Sequence, residues 1–462
     1  MNSKLLLGTI IGLFCLFGLI ILLFAGSPGR NTTGTSSVDE TFEWHSLEDF
    51  DPSAKCNDGT PAGMWISKDV DLTASSRWLI MLEGGEYCFD SHSCTDRSIR
   101  LEGRVTSAGA STLPFPSDGI LSSLEEDNPY WYDANRVYLH YCSSDLWMGT
   151  RSATESDIIV DGKAWAFLGN LLLTRSLEYL QTLQERNGGL SEATEVLFGG
   201  LSAGAVGVAA SLPIHAELLE EAAPRATVSY ILDSGWLVDV EEDHRLAPVG
   251  SCSIATNCSL RVIASSVVSA WDAQLPSTCP STSEDEEDLW TCFYGSYIWA
   301  SLPQSIVESA YIIELQYDPI NLGENGLAHV PETDEELTFA AFIAQTILTE
   351  LEDANVAGSF SSACFRKAGI VNSPGWNTNA IQDMSMAEAH QNWYQALLLT
   401  SDDTITDTDD SSFIHWEALQ LADECGVDSL EELMCNPTCP DCLCERRLAF
   451  SDDQSHLLYE PV

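Results

Sequence analysis

The sequence has very few basic residues. Lys plus Arg number 20 against 70 Asp plus Glu in 462 residues, which gives a formal net charge of −50 at pH 7. The lysines are Lys4, Lys55, Lys68, Lys163 and Lys367. A protein that binds nucleic acid needs a basic face, and anionic lipid surfaces attract the same residues. The composition therefore excludes nucleic acid as a partner and disfavours binding to an anionic lipid surface.

High net charge can by itself keep a chain unfolded, but this sequence does not lack core-forming residues. Hydrophobic residues make up 45% of the chain, with 13 Trp and 16 Phe. Chains that stay disordered are poor in such residues. The composition predicts a folded protein with an acidic surface, typical either of a saline habitat or of an ordinary acidic secreted protein.

The N-terminus carries a long apolar run. Residues 5–26 contain no charged residue and follow Lys4. At about 1.5 Å per residue, such a run crosses a hydrocarbon core of roughly 30 Å. It is longer than a signal-peptide core of about 7–15 residues, and the sites for cleavage after it are poor. We predict a cytoplasmic segment 1–4, a transmembrane signal anchor 5–26 and a type II orientation, with the remainder luminal or extracellular. The alternative is secretion after signal cleavage.

Cysteine usage agrees with a luminal location. One of the 15 cysteines, Cys15, lies in the apolar run, which leaves 14, an even number. A disulfide-rich domain is expected in an oxidising compartment. The cluster Cys435–Cys444 resembles a zinc site, but it contains no histidine. We therefore expect no metal and no cofactor. Glycosylation is expected at the sequons of Asn31 and Asn257.

Beyond a Ser/Thr/Gly-rich stalk, residues 27–42, we predict one domain over 43–445 and a tail over 446–462. Short β-rich runs alternate with helical patterns, which is typical of a mostly parallel sheet covered by helices on both faces. The predicted strands are Trp78–Leu82, Arg136–Tyr141, Glu195–Phe198, Thr227–Leu232 and Tyr311–Tyr317. Helices are predicted over Lys163–Glu185 and Ala203–Leu212.

The strongest chemical signal is a Gly-x-Ser-x-Gly turn between a predicted strand and a helix of small residues. Gly200, Ser202 and Gly204 occupy its fixed positions. This context is the one that a nucleophile elbow requires, and the amide of Ala203 is then a donor to the oxyanion. The alternative is a packing turn whose serine caps the helix. A second glycine turn, Gly84-Gly85, follows an earlier strand and occupies the place of an oxyanion loop in α/β-hydrolases.

Ordered motifs along most of the chain resemble the pectin acetylesterase and Notum family of carboxylesterases. They are Leu-Glu-Gly-Gly-x-Tyr-Cys at 82–88 with Ser93, Cys94 and Arg97 after it, Tyr-Cys-Ser-Ser-Asp-x-Trp at 141–147, the serine turn, Leu-Asp-Ser-Gly-Trp at 232–236 and Cys-Asn-Pro-x-Cys-Pro at 435–440. The resemblance implies a disulfide-rich α/β-hydrolase fold with a Ser-Asp-His triad that removes acyl groups from hydroxyls. Plant members deacetylate pectin, and Notum removes palmitoleate from Wnt.

By this resemblance Ser202 matches the nucleophile and Asp318 the triad aspartate. The backbone of Gly85, Glu86 and Ala203 matches the oxyanion donors. Asp233 is the competing carboxylate, but its place in the family motif is that of a turn that supports the site.

The triad base is where the sequence departs from the family. The family histidine position is occupied by Lys367. A lysine ordinarily titrates at about 10.4, and a neighbouring carboxylate favours its ammonium form, which accepts no proton. A substitute must come from the later histidines, His329, His390, His415 and His456, of which His390 on a predicted helix is the best candidate. A second departure is Glu86, where Notum-like members have Trp; its carboxylate is expected to oppose the oxyanion.

Two functions follow from these residues. The first is a carboxylesterase that removes O-acyl groups, acetyl above all, from a glycan or glycoprotein. The second is an impaired family member that binds an acylated ligand in the same cleft, because losing a triad member leaves only about 10³–10⁴-fold catalysis over water. Palmitoleate and Wnt are poor substrate candidates with Glu86 in place of an aromatic wall.

Overall fold

The computed structural model describes residues 42–68, 76–112, 115, 117–183, 189–240, 255, 258–276, 286–367, 369–371, 373–400, 420–422, 436 and 438–439. These belong to one compact unit, Asp39–Val462. The predicted membrane anchor, residues 27–41 of the predicted stalk, the tail beyond residue 445, Asn31 and Asn257 lie outside the described residues. Phe42, the last residue of the predicted stalk, instead begins the first strand. Within the described ranges, no helix has both the length and the apolar character needed to cross a membrane.

Thirteen strands are described. They are β1 (Phe42–Ser46), β2 (Gly63–Ser67), β3 (Arg77–Leu82), β4 (Asn135–Leu139), β5 (Ile159–Val160), β6 (Lys163–Ala164), β7 (Glu195–Leu201), β8 (Thr227–Asp233), β9 (Ala310–Ile313), β10 (Gly358–Ser361), β11 (Ala380–Ile381), β12 (Met384–Ser385) and β13 (Gln420–Ala422).

The α-helices within the described ranges are α1 (Ser91–Arg100), α2 (Gly169–Thr182), α3 (Ala203–Ala222), α4 (Leu260–Trp271), α5 (Gly295–Ser301), α6 (Gln304–Val307), α7 (Pro319–Glu324), α8 (Asp334–Asp353), α9 (Ser373–Thr378) and α10 (Met386–Thr400). Short 3₁₀ turns connect several of them, including Glu102–Arg104 after α1.

Nine strands form one sheet in the order β1-β2-β4-β3-β7-β8-β9-β10-β13. The first two pairings are antiparallel and the remaining six are parallel. Along β3, Ile80 packs in one apolar cluster and its neighbours Leu79 and Met81 pack in another. Alternate side chains of a strand point to opposite faces, so the sheet is buried on both sides. The prediction of a mostly parallel sheet covered by helices is confirmed.

One helix prediction was too long. The pattern over Lys163–Glu185 predicted a continuous helix, but α2 covers only Gly169–Thr182. Lys163 and Ala164 instead form β6, which pairs with β5 around a turn where Asp161 and Gly162 both have positive φ. Such a turn reverses the chain and ends the helical pattern on its N-terminal side.

Disulfides join two distant pairs of segments and close one short loop. Cys56 bonds to Cys142, Cys88 to Cys94, and Cys364 to Cys439. Cys258 and Cys292 are also disulfide-bonded. Because Cys439 is bonded to Cys364, the tail cluster is not a zinc site built on this cysteine. Among the described residues, no three His, Cys, Asp or Glu side chains are arranged to hold a metal ion.

Candidate active site

Ser202 lies in a tight turn at the centre of the sheet, between the end of β7 and the start of α3. Its backbone adopts φ 52° and ψ −120°, a sparsely populated conformation for a residue with a side chain. The Ser202 amide donates to the Asp233 carbonyl at 2.7 Å, which ties the turn to β8. A Cβ at Gly204 would stand 2.3 Å from the Leu82 carbonyl oxygen. Only glycine fits there, so the turn has the close geometry that the sequence spacing predicted.

The Ser202 side chain is half-buried, and its hydroxyl makes no hydrogen bond to any described residue. Ala203 is the first residue of α3, and the amides of a first helical turn have no partner within the helix. A helix N-terminus also stabilises negative charge. The turn therefore presents a hydroxyl and a helix N-terminal amide side by side, neither of them bonded to another described residue.

The second glycine turn packs directly on the serine turn. A Cβ at Gly84 would stand 2.4 Å from the Leu201 carbonyl oxygen and 2.9 Å from Ser202 Cβ. The loop then turns sharply, since Gly85 has φ 143° and Glu86 has φ 58°. The structure thus brings together two glycine turns whose residues Gly84 and Ser202 are 118 positions apart in the chain.

Glu86 does not present a bare carboxylate to this site. Its side chain is 4% exposed and forms an ion pair with Arg100 of α1, with Nη1 and Oε2 2.8 Å apart. Arg100 also pairs with Asp96 at 2.7 Å. The expectation that the Glu86 carboxylate opposes an oxyanion is corrected, because the neighbouring guanidinium compensates its charge.

Asp318 caps α7 beyond the carboxyl end of β9. Its Oδ1 accepts a hydrogen bond from the Ile320 amide at 2.6 Å. Its buried Oδ2 accepts none from the described residues. Burial raises the pKa of Asp318, and the charge of Lys367 partly offsets that rise. Glu314 is buried nearby, and its pKa is raised well above the usual range by burial and by the charge of Asp318.

Lys367, half-buried, lies within electrostatic range of Asp318. Cys364, three residues earlier, anchors its loop through the bond to Cys439. Two and three residues later, the amides of Gly369 and Ile370 donate to Asp233 at 2.7 and 2.9 Å. The structure therefore keeps the loop of Lys367 in a fixed position and its charge within electrostatic range of Asp318.

Asp233 supports this loop. Its Oδ2 is fully used by those two amides, and burial raises its pKa to about 6 while the amides and Arg366 act in the opposite direction. Its Oδ1 lies 3.4 Å from Ser234 Oγ, so both carboxylate oxygens have a partner within this part of the fold. The interpretation of Asp233 as a supporting residue, rather than the triad acid, agrees with these contacts.

His390 is not in this arrangement, and its selection as a substitute base was wrong. It is buried in α10 among aromatic rings, with the centroids of Tyr311 and Trp376 at 5.3 and 5.7 Å. Its Nε2 has no partner among the described residues, and burial alone lowers the pKa of His390 to about 3. The ring is a neutral core group. His329 is exposed and pairs with Glu336 at 2.9 Å, whereas His415 and His456 lie outside the described residues.

Sequence reasoning missed a cluster of arginines behind the glycine loop. Arg97, Arg100 and Arg104 follow one another at spacings of three and four residues, which places them on one side of α1 and its 3₁₀ extension. All three contact the segment Glu83–Glu86. The spacing was the only available signal, and it does not show what a helix face contacts.

Comparisons with known proteins agree with this geometry. A family model described as Pectinacetylesterase matches residues 36–409. The chain is 30% identical over 406 residues to palmitoleoyl-protein carboxylesterase notum1a of Danio rerio, and the aligned region covers 87% of this chain and 73% of that protein. It is 29% identical over 406 residues to palmitoleoyl-protein carboxylesterase NOTUM of Homo sapiens, and the aligned region covers 87% of this chain and 74% of that protein. The 1.9 Å structure of the Wnt deacylase Notum from Drosophila superposes with a TM-score of 0.65 and 28% identity, over 78% of this chain and 94% of that one.

Proposed function

The chain belongs to the pectinacetylesterase family, whose relatives are carboxylic ester hydrolases, and on that premise we propose that Ser202 is the nucleophile of a carboxylesterase that removes O-acyl groups from a glycan or glycoprotein. The observation that carries the proposal is the packing of the two glycine turns. Gly84 contacts Ser202 directly, so a hydroxyl and backbone amides that have no partner among the described residues meet in one place.

The reaction follows from these groups. Ser202 Oγ attacks the ester carbon while its proton leaves, and the carbonyl oxygen becomes an oxyanion that the amides of Gly85, Glu86 and Ala203 stabilise. The C–O bond to the alcohol breaks, the alcohol takes up the proton, and an acyl-serine remains. Water then attacks the acyl-serine, and Ser202 recovers its proton as the free acid leaves. No metal or cofactor enters these steps.

In this proposal Lys367 is the proton acceptor in the position of the family histidine, with Asp318 beside it. An ammonium has no lone pair, so the lysine must lose a proton before it accepts one from Ser202. Activity should therefore rise with pH into the alkaline range. A histidine enzyme would reach its plateau nearer neutrality.

The acyl group is proposed to be short, with acetyl favoured. The Glu86–Arg100 ion pair, whose carboxylate is buried, lies next to the oxyanion amides. A long hydrocarbon chain placed against this pair would lose its apolar contacts and desolvate two charges. The Notum relatives are named for palmitoleoyl-protein esters, which carry a long acyl chain. The ion pair beside the oxyanion amides therefore separates the proposed short-chain substrate from theirs.

We place the domain outside the cytoplasm, held by the N-terminal apolar run as a type II anchor, with secretion after cleavage as the alternative. The disulfides of the described residues support an oxidising compartment. Membrane anchoring rests on the sequence of residues 5–26 alone.

A second candidate function, binding of an acylated ligand without turnover, is favoured by one observation. The Ser202 hydroxyl has no hydrogen-bond partner among the described residues, and Lys367 stands where a base is needed. In this case the site would hold the ester without cleaving it.

Hydrolysis of p-nitrophenyl esters from acetate to decanoate decides between the two. Wild type should hydrolyse the acetate fastest, at a rate that increases with pH, and Ser202→Ala should abolish the enzymatic rate. Equal rates for both proteins would exclude serine catalysis. Ester binding by wild type without Ser202-dependent hydrolysis at any pH would establish the binding function.

A further inference from the structure

The amides of Gly85 and Glu86 are unusual for a buried loop. Glu86 is 6% exposed, and Gly85 is buried as well. Neither amide donates to an acceptor among the described residues, whereas the amides of Glu83 and Cys88 on either side donate to Leu139 and Ser144 at 3.1 Å. Buried N–H groups without partners are rare in native proteins. These two lie on the loop that packs on Ser202.

The carbonyl groups of the same peptide units are fully engaged. Arg104 Nη1 donates to the Gly84 carbonyl at 2.7 Å. Arg97 donates to the Gly85 carbonyl twice, from Nε at 2.9 Å and from Nη2 at 2.6 Å. Each loop carbonyl is therefore fixed by a charged donor, which makes a stronger hydrogen bond than a neutral one.

The geometry of the peptide unit connects these two observations. In a trans peptide the C=O and the following N–H point in opposite directions, and the described chain has no cis bonds. Holding the Gly84 carbonyl on Arg104 turns the Gly85 amide the other way. Holding the Gly85 carbonyl on Arg97 does the same for the Glu86 amide.

The arginines are themselves held in place. Arg97 is fully buried and its Nη1 donates to the Arg104 carbonyl at 2.9 Å and to Ser144 Oγ at 2.6 Å. Arg104 Nε lies 3.5 Å from Glu83, whose carboxylate is fixed by His140 Nδ1 at 2.7 Å. Neither guanidinium is free to leave its carbonyl without breaking other contacts.

We propose that Arg97 and Arg104 are positioning residues of the oxyanion hole, which hold the peptide units 84–85 and 85–86 so that the Gly85 and Glu86 amides face the ester oxygen. This proposal rests on the proposed function of Ser202. The arginines act from the opposite side of the loop through the two carbonyls and do not touch the substrate.

The test compares Arg97→Lys and Arg104→Lys with wild type. Arg175→Lys serves as the matched control because, among the described residues, the ion pairs of Arg175 are with Asp51 and Glu178. Lysine keeps the charge but not the paired donors. We expect kcat on p-nitrophenyl acetate to fall by about 10²-fold in each positioning variant with KM within about twofold, since removing oxyanion donors costs about 10²–10³-fold in kcat. The affinity for a trifluoromethyl ketone, which mimics the oxyanion, should fall in parallel.

Hydrogen exchange at residues 84–87 gives a readout that needs no turnover. Exchange should be faster in both positioning variants than in wild type, and unchanged in Arg175→Lys. If Arg97→Lys does not fold, the test is made with Arg104→Lys, because the Arg104 side chain is partly exposed. Unchanged kcat and ketone affinity in Arg104→Lys, with Ser202→Ala inactive, would overturn the positioning role. A Ser202→Ala protein that is as active as wild type would instead overturn the proposed function. The exchange data alone would then decide whether Arg97 and Arg104 hold the loop in place.

Discussion

Replacing Lys367 with histidine should raise esterase activity. The backbone of this loop is fixed independently of residue 367, by the bond from Cys364 and by the two amides held on Asp233. Asp318 lies within electrostatic range, and its Oδ2 accepts no hydrogen bond from the described residues. We expect an imidazole at this position to donate to Asp318 and to retain a free nitrogen for the Ser202 proton.

The magnitude follows from the role of the base. A positioned general base contributes about 10²–10⁴-fold, and some of this is retained by lysine in its neutral form. We expect Lys367→His to raise kcat/KM on p-nitrophenyl acetate at least about tenfold at pH 7.5, with a plateau near neutrality in place of the alkaline rise of wild type. Lys367→His with Ser202→Ala should be inactive, and Lys367→His with Asp318→Asn should lose most of the gain. A folded Lys367→His protein that is no faster than wild type would refute this reasoning.

Three further changes test other parts of the structure. Gly84→Ala places a methyl group 2.4 Å from a backbone carbonyl oxygen, so activity should fall by about 10²-fold or more and the melting temperature should drop. The control Gly103→Ala, whose added methyl group has no atom within 4 Å, should change neither activity nor melting temperature. Asp318→Asn should stabilise the protein at pH 8 by about 1–3 kcal/mol. Burial raises the pKa of Asp318, so the protonated aspartate stabilises the folded wild type below the ordinary aspartate pKa. Wild type loses this stabilisation as pH rises through the raised pKa. Denaturant titrations should show the difference vanishing near pH 4, and a difference independent of pH would contradict the assignment. The pair Cys364→Ser and Cys439→Ser opens a loop of 75 residues and should lower the free energy of unfolding by about 2–5 kcal/mol, which an unchanged denaturation midpoint would contradict.

The sequence patterns located the sheet and the serine turn well. The run Trp78–Leu82 lies within β3, and the run Glu195–Phe198 lies within β7, because buried parallel strands are apolar along their whole length. The glycines around Ser202 were informative because a turn this tight excludes any side chain. Such local requirements leave a trace in sequence.

The rest of the site depends on contacts between segments distant in the chain. His390 was chosen from its position after the altered loop, but its helix turns the ring toward Tyr311 in the core. Nothing in the local pattern distinguishes a helix face that meets the sheet from one that meets the cleft. Glu86 was likewise judged without Arg100, whose charge compensates it across 14 residues of chain.

The most direct test of the central claim is to trap the acyl-enzyme. Wild type and Lys367→His are mixed with p-nitrophenyl acetate, quenched in acid after a short incubation and digested for mass spectrometry. The account predicts an acetyl adduct on the peptide that contains Ser202, present in both proteins and lost in Ser202→Ala. Hydrolysis that continues without this adduct, or that persists in Ser202→Ala, would contradict the account.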